Sequence, residues 1–292
     1  MKQILPETAL ATVPEVHLFD EDANVVIMDD CDDAATLKTL FLRDRAIPVS
    51  LARTIGSALG TFLVQVHAWG RNSQAVDFWE GNVQARTISA WVTYGRIVST
   101  LSAPVNLPAL RDPPLEIPKD QLKTLAEVAD ETANKMRSAR ETVVHGDFWP
   151  GNVMVRLKGE GEEVEVERIY VLDWELSKPG LPGFDIGQFA AEVHQARSFY
   201  PHCEASASAL LTTFLQTYRE EVQRDDMVQT ARLALTHVGA HTVAWTPRNP
   251  TWGDEGTVRK VVMEGAQYLL RAQLKEDDLS QSMFGPLLGH TL

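Results

Sequence analysis

Three side chains in the middle of this 292-residue chain, Asp147, Asn152 and Asp173, have the types and spacing to hold a cation beside a proton acceptor. Asp147 and Asn152 share one short loop, His145-Gly146-Asp147-Phe148-Trp149-Pro150-Gly151-Asn152, in which Pro150 and Gly151 force the turn between them. The strand-like run Val153-Met154-Val155 follows, then the turn Lys158-Gly159-Glu160-Gly161-Glu162 and a second β-prone run from Val164 to Leu172. A hairpin returns its end to its beginning, so Asp173 is expected back beside the loop. Hard oxygen ligands of this kind suit Mg²⁺, which keeps some waters and is commonly shared with substrate phosphates. A free carboxylate nearby can orient a hydroxyl nucleophile and accept its proton. Phosphoryl transfer asks for these parts and for little covalent help from the protein. Any one of these aspartates alone would read as a solvated loop residue. Asp147 and Asp173 at the two ends of one hydrophobic hairpin carry the functional reading.

The rest of the chain must position that hairpin. Val16-His17-Leu18-Phe19-Asp20 and Val25-Val26-Ile27-Met28, around a polar turn, predict an earlier β-hairpin. The acidic run Asp29-Asp30-Cys31-Asp32-Asp33 follows, and helical periodicity begins at Ala34, which places a lobe boundary near residue 30. Leu51, Ile55, Leu59, Phe62, Leu63 and Val66 recur at three- and four-residue steps and predict one face of a long buried helix over 49–69. His67 near its end reads as a core or capping histidine. Residues 72–101 read as helical with aromatic anchors, and Pro104, Pro108, Pro113, Pro114 and Pro118 mark a loop. Pro118 opens another amphipathic helix through Met136. After Asp185 the pattern predicts helices at 186–199, 204–223, 226–246 and 255–275, with the tail 277–292 as loop.

Composition excludes several classes. Acidic residues outnumber basic ones 40 to 27, a formal charge of −13, whereas a nucleic-acid footprint wants a basic surface. The 44% hydrophobic content is that of a globular chain with a sizeable core. Cys31 and Cys203 make neither a disulfide framework nor a zinc-ligand pair. No secretory signal opens the chain, and no stretch reads as a membrane span. A cytoplasmic protein with neither nucleic acid nor membrane as partner is the expectation.

The spacing His145-Gly146-Asp147-x-x-x-x-Asn152, then a hydrophobic strand into Asp173, resembles the catalytic loop and metal aspartate of the aminoglycoside phosphotransferase and choline kinase superfamily. Val13 through Asp30 resembles the last two strands and the hinge of that family's N-terminal lobe. The helix ending at His67 resembles its long central helix, and Gly183-Phe184-Asp185-Ile186-Gly187 its segment after the metal aspartate. The resemblance implies an α+β, protein-kinase-like fold: a remnant of the β lobe and hinge over 1–30, then a helical phosphotransferase lobe with a catalytic β-hairpin over 31–292. It implies Asp147 as catalytic base and Asn152 and Asp173 as Mg²⁺ ligands. It also implies Met28, Asp29 and Asp30 as the adenine-binding hinge, with His145 and Asp185 supporting the loop. ATP would be the phosphate donor and a small-molecule hydroxyl the acceptor. Glu175 is a rim carboxylate or a surface residue, and Trp149 and Trp174 line a pocket or simply pack.

The departures are at the N-terminal side. Lys2 is the only lysine before Lys38, no glycine precedes Gly56, and Glu7 is the only acidic residue ahead of Glu15. A glycine-rich phosphate loop, its strand lysine and the helix glutamate that holds that lysine are therefore expected to be missing. Two readings follow: an ATP-dependent small-molecule kinase, or a catalytically impaired relative acting as a binding or interaction protein. A metal-dependent hydrolase built on His145, Asp147 and Asp173 is a weaker third. The charge of −13 favours a cationic acceptor such as an aminoglycoside or choline.

Overall fold

A computed structural model describes residues 4–43, 45–103, 106–159, 163–222, 227–249, 252–273 and 279–290. Lys2, Pro104, the turn tip 160–162, the helix ends at 223, 226 and 274–275, and residues 277–278 and 291–292 of the tail lie outside them. In chain order the strands β1 (Ala11–Thr12), β2 (Val16–Asp20), β3 (Val25–Met28) and β4 (Ala35–Thr36) precede seven helices. These are α1 (Leu37–Leu42), α2 (Val49–Gly70), α3 (Ser73–Glu80), α4 (Val83–Thr93), α5 (Ile97–Ser102), α6 (Pro108–Arg111) and α7 (Lys119–Ser138). The strands β5 (Thr142–Val144), β6 (Val153–Lys158), β7 (Glu165–Val171) and β8 (Lys178–Gly180) come next. The helices α8 (Pro182–Phe199), α9 (Glu204–Glu221), α10 (Val228–Trp245) and α11 (Glu255–Arg271) complete the described elements. The fold is α+β with a small N-terminal strand set, as the sequence predicts.

The scaffold is α2. Its apolar positions bury Leu51, Ile55, Leu59, Phe62, Leu63 and Val66, and it lies along α9. Gly56 and Gly60 permit that approach: a side chain at Gly56 would run into the Leu210 carbonyl and one at Gly60 into that of Phe214. By length and a mean hydropathy of 1.3, α2 would suffice to cross a bilayer, where the sequence reading saw no such stretch. In the fold 56% of that window is buried, which is the requirement of a core helix.

Around α2, one four-stranded sheet runs β1-β7-β6-β4. The β6–β7 hairpin at its centre pairs Val153 with Val171 and Val155 with Ile169. On one edge β1 runs parallel to β7, and on the other β4 runs antiparallel to β6. The segment before residue 30 is thus in two parts: β1 is tied to this sheet, while β2 and β3 pair with each other. Helix was expected from Ala34. Ala35 and Thr36 instead take the sheet edge, and Thr36 then caps α1 by accepting the Thr39 N–H at 3.0 Å. The stretch 72–101 is three helices, because Asn72 and Asn82 each cap a new start. α8 begins at Pro182, four residues earlier than expected; proline at a first turn loses no hydrogen bond. The tail carries a 3₁₀ turn over Gly285–Leu288, and Leu279, Phe284 and Leu287 are fully buried. Its lack of periodicity reflects short segments packed on the core.

Candidate functional site

Val143 and Val144 are fully buried in β5, which pairs with β8 and delivers the chain to His145 at a fixed depth. The next two backbone N–H groups are captured by Asp185 in the first turn of α8. Its Oδ2 accepts from His145 N at 2.8 Å and its Oδ1 from Gly146 N at 2.9 Å. His67 Nε2 donates to the same carboxylate at 3.1 Å, and His67 Nδ1 accepts from the Tyr218 hydroxyl at 2.8 Å. Burial alone would raise the Asp185 pKa. The His67 hydrogen bond, the electrostatic influence of the His67 and His145 rings and the Gly146 N–H outweigh it and hold the carboxyl below its usual range. The core histidine expected at the end of α2 therefore braces the loop through Asp185.

His145 fixes the other side of the loop. Its Nδ1 accepts the Asp147 N–H at 3.2 Å, so the proton sits on Nε2, which donates to the Leu172 carbonyl at 2.9 Å. Burial lowers its pKa despite the charges of Asp185 and Asp147, in keeping with a neutral ring. Leu172 N in turn donates to the Asn152 carbonyl at 2.9 Å. Asp173 follows with φ 65° and ψ 64°, a left-handed conformation that few non-glycine residues adopt. The return of the hairpin thus brings Asp173 beside Asn152 through the main chain.

Asp147 is aimed by three donors. Asn152 Nδ2 reaches its Oδ2 at 2.8 Å and its main-chain oxygen at 3.0 Å, and Trp149 Nε1 reaches Oδ2 at 3.2 Å. Gln188 Nε2 donates to Oδ1 at 2.6 Å. With its NH₂ committed, Asn152 has its amide oxygen left as a ligand atom. One amide oxygen beside the exposed Asp173 carboxylate is a hard-oxygen donor set of the kind Mg²⁺ completes with waters and phosphates. Among the described residues no three of His, Cys, Asp or Glu gather as a protein-only metal cage.

Two cavities flank the loop. One of about 530 Å³ is lined by Asp147, Trp149, Lys178 and Gln188 together with faces of α4 and α10. The other, of about 940 Å³, is lined by Asp173, Trp174 and Glu175 on one side and Val16, Val26 and Met28 on the other. Of the three residues expected as hinge, Met28 lines it and Asp29 and Asp30 do not. The Asp29 carboxylate ties the ends of β2–β3, accepting from Glu15 N at 2.9 Å and His17 Nε2 at 2.8 Å; Asp30 accepts the Asp32 N–H at 3.1 Å.

Sequence reasoning missed Gln188 and Lys178. Gln188 was findable as the residue three after Asp185, on the same face of α8. Lys178 is buried in β8, donates to the Leu176 carbonyl at 2.9 Å, and is pushed down to about 8 by burial against the opposing charges of Asp185 and Asp147. Gly146, at φ 83°, has no room for a side chain because the Leu176 carbonyl and the Lys178 ammonium occupy that space.

A family model described as the phosphotransferase enzyme family matches residues 7–228. The curated 4-hydroxytryptamine kinases of Psilocybe cyanescens and Psilocybe cubensis are 26% and 27% identical over 88% and 84% of this chain. The matches cover 65% and 63% of those proteins, so the chain spans a little under two thirds of the length of these relatives. A choline/ethanolamine kinase family protein from Mesorhizobium loti, known as a crystal structure, is 18% identical. That alignment covers 95% of this chain and 77% of the other, with a TM-score of 0.43.

Proposed function

The chain belongs to the phosphotransferase enzyme family, and from that premise we propose that it transfers the γ-phosphate of ATP to a hydroxyl of a small molecule. In this reading residues 31–292 are the phosphotransferase lobe, and 1–30 carry the hinge and part of a β lobe. The observation that carries it is the placement of two carboxylates. Asp147, aimed by three donors, lines the smaller cavity, and Asp173, joined to it through Asn152 and Leu172, lines the larger one.

The acceptor enters the smaller cavity with its hydroxyl at Asp147, which orients the oxygen and takes its proton. The acceptor oxygen forms a bond to the γ-phosphorus as the bond from that phosphorus to the β–γ bridging oxygen breaks, and ADP leaves. The nucleotide occupies the larger cavity, with its base toward Met28 and its phosphates toward the loop. Asn152 and Asp173 would hold Mg²⁺, which when bound neutralises charge on the phosphates. Asp185, His67 and His145 keep the loop in register, and Gln188 keeps the Asp147 carboxylate facing the acceptor.

The test combines thermal shift by Mg²⁺-ATP with transfer from radiolabelled ATP to a panel of 4-hydroxytryptamine, choline, glucosamine and kanamycin. Transfer to at least one acceptor is expected. Asp147→Asn, nearly isosteric, should lower it by about 10²–10⁴-fold and leave melting almost unchanged. Transfer surviving within about tenfold would remove Asp147 from the role of base. Neither a nucleotide shift nor transfer would make the chain a binding protein.

A further inference from the structure

The smaller cavity holds two buried polar side chains that no described residue satisfies. Gln195 on α8 is fully buried, and neither its amide oxygen nor its nitrogen meets a partner among the described residues. The Ser89 hydroxyl on α4 is in the same condition, and both residues line the cavity. An unpaired buried amide or hydroxyl forfeits its hydrogen bonds to water with nothing in return, so two in one apolar pocket point to a ligand that completes them.

The helix supplies a ruler. Asp185, Gln188, Glu192 and Gln195 fall at three- and four-residue steps and form one stripe of α8 along the cavity. Gln188, which contacts Asp147, and Gln195 are seven positions apart; at about 1.5 Å per residue the two stand about 10 Å apart along the axis. The apolar part of the lining is Ile88, Val92, Met136, Leu176, Phe184 and Trp245.

Charge does not favour a polycation here. Of the three carboxylates lining it, Asp147 is held by three donors, Asp185 is spent on the loop and Glu192 is paired with His241 at 2.7 Å. Lys38, Lys178 and Arg248 also line the cavity, and the Lys38 ammonium sits 5.0 and 5.5 Å from the ring centres of Trp149 and Trp252. His237 is held neutral by burial, down to about 3. The net charge of the whole chain, from which a cationic acceptor was expected, does not extend into this pocket. A polyhydroxylated, polyamine acceptor would leave most of its polar groups facing hydrocarbon.

We infer that the acceptor is an elongated, largely aromatic hydroxyl compound whose far end carries a group that both donates and accepts hydrogen bonds, read by Gln195 and Ser89. This rests on the phosphotransferase reading only for the placement of the hydroxyl at Asp147. A two-ring phenol with a distal amide has the length and the chemistry.

Calorimetry without nucleotide tests it, with 6-hydroxy-2-naphthamide, 2-naphthol and kanamycin as probes. The naphthamide is expected to bind about tenfold tighter than 2-naphthol, the worth of about one buried hydrogen bond, and kanamycin weakest. Gln195→Leu should erase the naphthamide's advantage and leave 2-naphthol within about twofold. It should also raise the melting temperature of the free protein, since it removes an unpaired buried amide. Ser89→Ala, on a different helix, should weaken the naphthamide alone. Kanamycin binding best, or either variant weakening naphthamide and naphthol equally, overturns the inference. Transfer to kanamycin but to neither aromatic overturns it while leaving the phosphotransferase reading in place. Discriminating binding with no transfer to any acceptor supports the pocket and removes the phosphotransferase reading.

Discussion

Two hairpins frame the larger cavity, and they are written in similar residues but live in different environments. In β6–β7, Val153, Val155, Ile169 and Val171 are buried. In β2–β3 every residue is exposed, including the continuous apolar run Val25-Val26-Ile27-Met28. The difference lies in what stands beside each. β6–β7 is interior to a four-stranded sheet, with β1 and β4 on its edges and α2 across its face. β2–β3 pairs with itself alone among the described strands, and a two-stranded ribbon buries little by its own means. Strand propensity describes a surface suited to packing; neighbours decide whether packing occurs. The buried hairpin presents the polar groups proposed to hold the metal, the Asn152 amide and the Asp173 carboxylate, whose positions must be exact to a fraction of an ångström. The exposed one presents Met28, an adaptable apolar contact for which placement matters less.

Substitutions can break or sharpen that contrast. The largest expected effect is at the end of the buried hairpin. Asp173→Ala should cost several kcal/mol of transition-state stabilisation, at least about a hundredfold in transfer, and should weaken Mg²⁺-ATP binding more than Asn152→Ala does. A carboxylate brings full charge to a cation and an amide oxygen only a dipole. Calorimetry with Mg²⁺-ATP gives the order, and equal losses from the two changes would count against the metal assignment. Next comes the hairpin's own packing: Ile169, 0% exposed, should cost about 2–5 kcal/mol as Ile169→Ala in urea unfolding.

Lys178, on the neighbouring β8, should give the reverse sign. Its pKa is lowered in the fold to about 8 from the 10.5 of a free lysine. Below pH 8 both states hold the proton, and the folded protein carries the whole cost of burying the charge. Between about 8 and 10.5 the unfolded chain binds more protons than the native one, so wild-type stability rises with pH. Lys178→Met should therefore melt higher than wild type at pH 7, with the gain shrinking toward pH 10.5; a gain independent of pH would show that the charge is not its source. The smallest effect belongs to the exposed hairpin. Ile27, 50% exposed, should lose less than about 1 kcal/mol as Ile27→Ala. A loss matching that of Ile169→Ala would mean that β2–β3 is covered in solution.

Local rules made much of this legible. The spacing on α2, the turn at Pro150-Gly151 and the alternation through β6 and β7 are each short-range, so periodicity and turn chemistry report them directly. The family resemblance gave roles to residues within those segments. The helix start at Pro182 and the strand at Ala35–Thr36 were missed because a proline's tolerance at a first turn depends on the residues downstream of it, and an edge pairing on the strand alongside. Asp29 and Asp30, which the family resemblance implies as part of the hinge, turn their carboxylates to the hairpin ends and the adjoining turn, a detail that resemblance does not carry.

By itself the sequence determined the geometry of the candidate site in outline: Asp147, Asn152 and Asp173 lie within one 27-residue stretch that folds back on itself as the β6–β7 hairpin. Only the tertiary structure decided what surrounds them. Gln188 of α8 meets Asp147, His67 of α2 reaches the loop through Asp185, and Gln195 of α8 and Ser89 of α4 line the cavity beside it, because helices distant in sequence are packed together there. Lys178 reads as an ordinary strand residue until Gly146 is found to have no side chain in the space that its ammonium fills. The physical reason is range. Backbone conformation and alternation are set by residues a few positions apart, whereas burial, hydrogen-bond satisfaction and pKa depend on whichever groups long-range packing brings within a few ångströms.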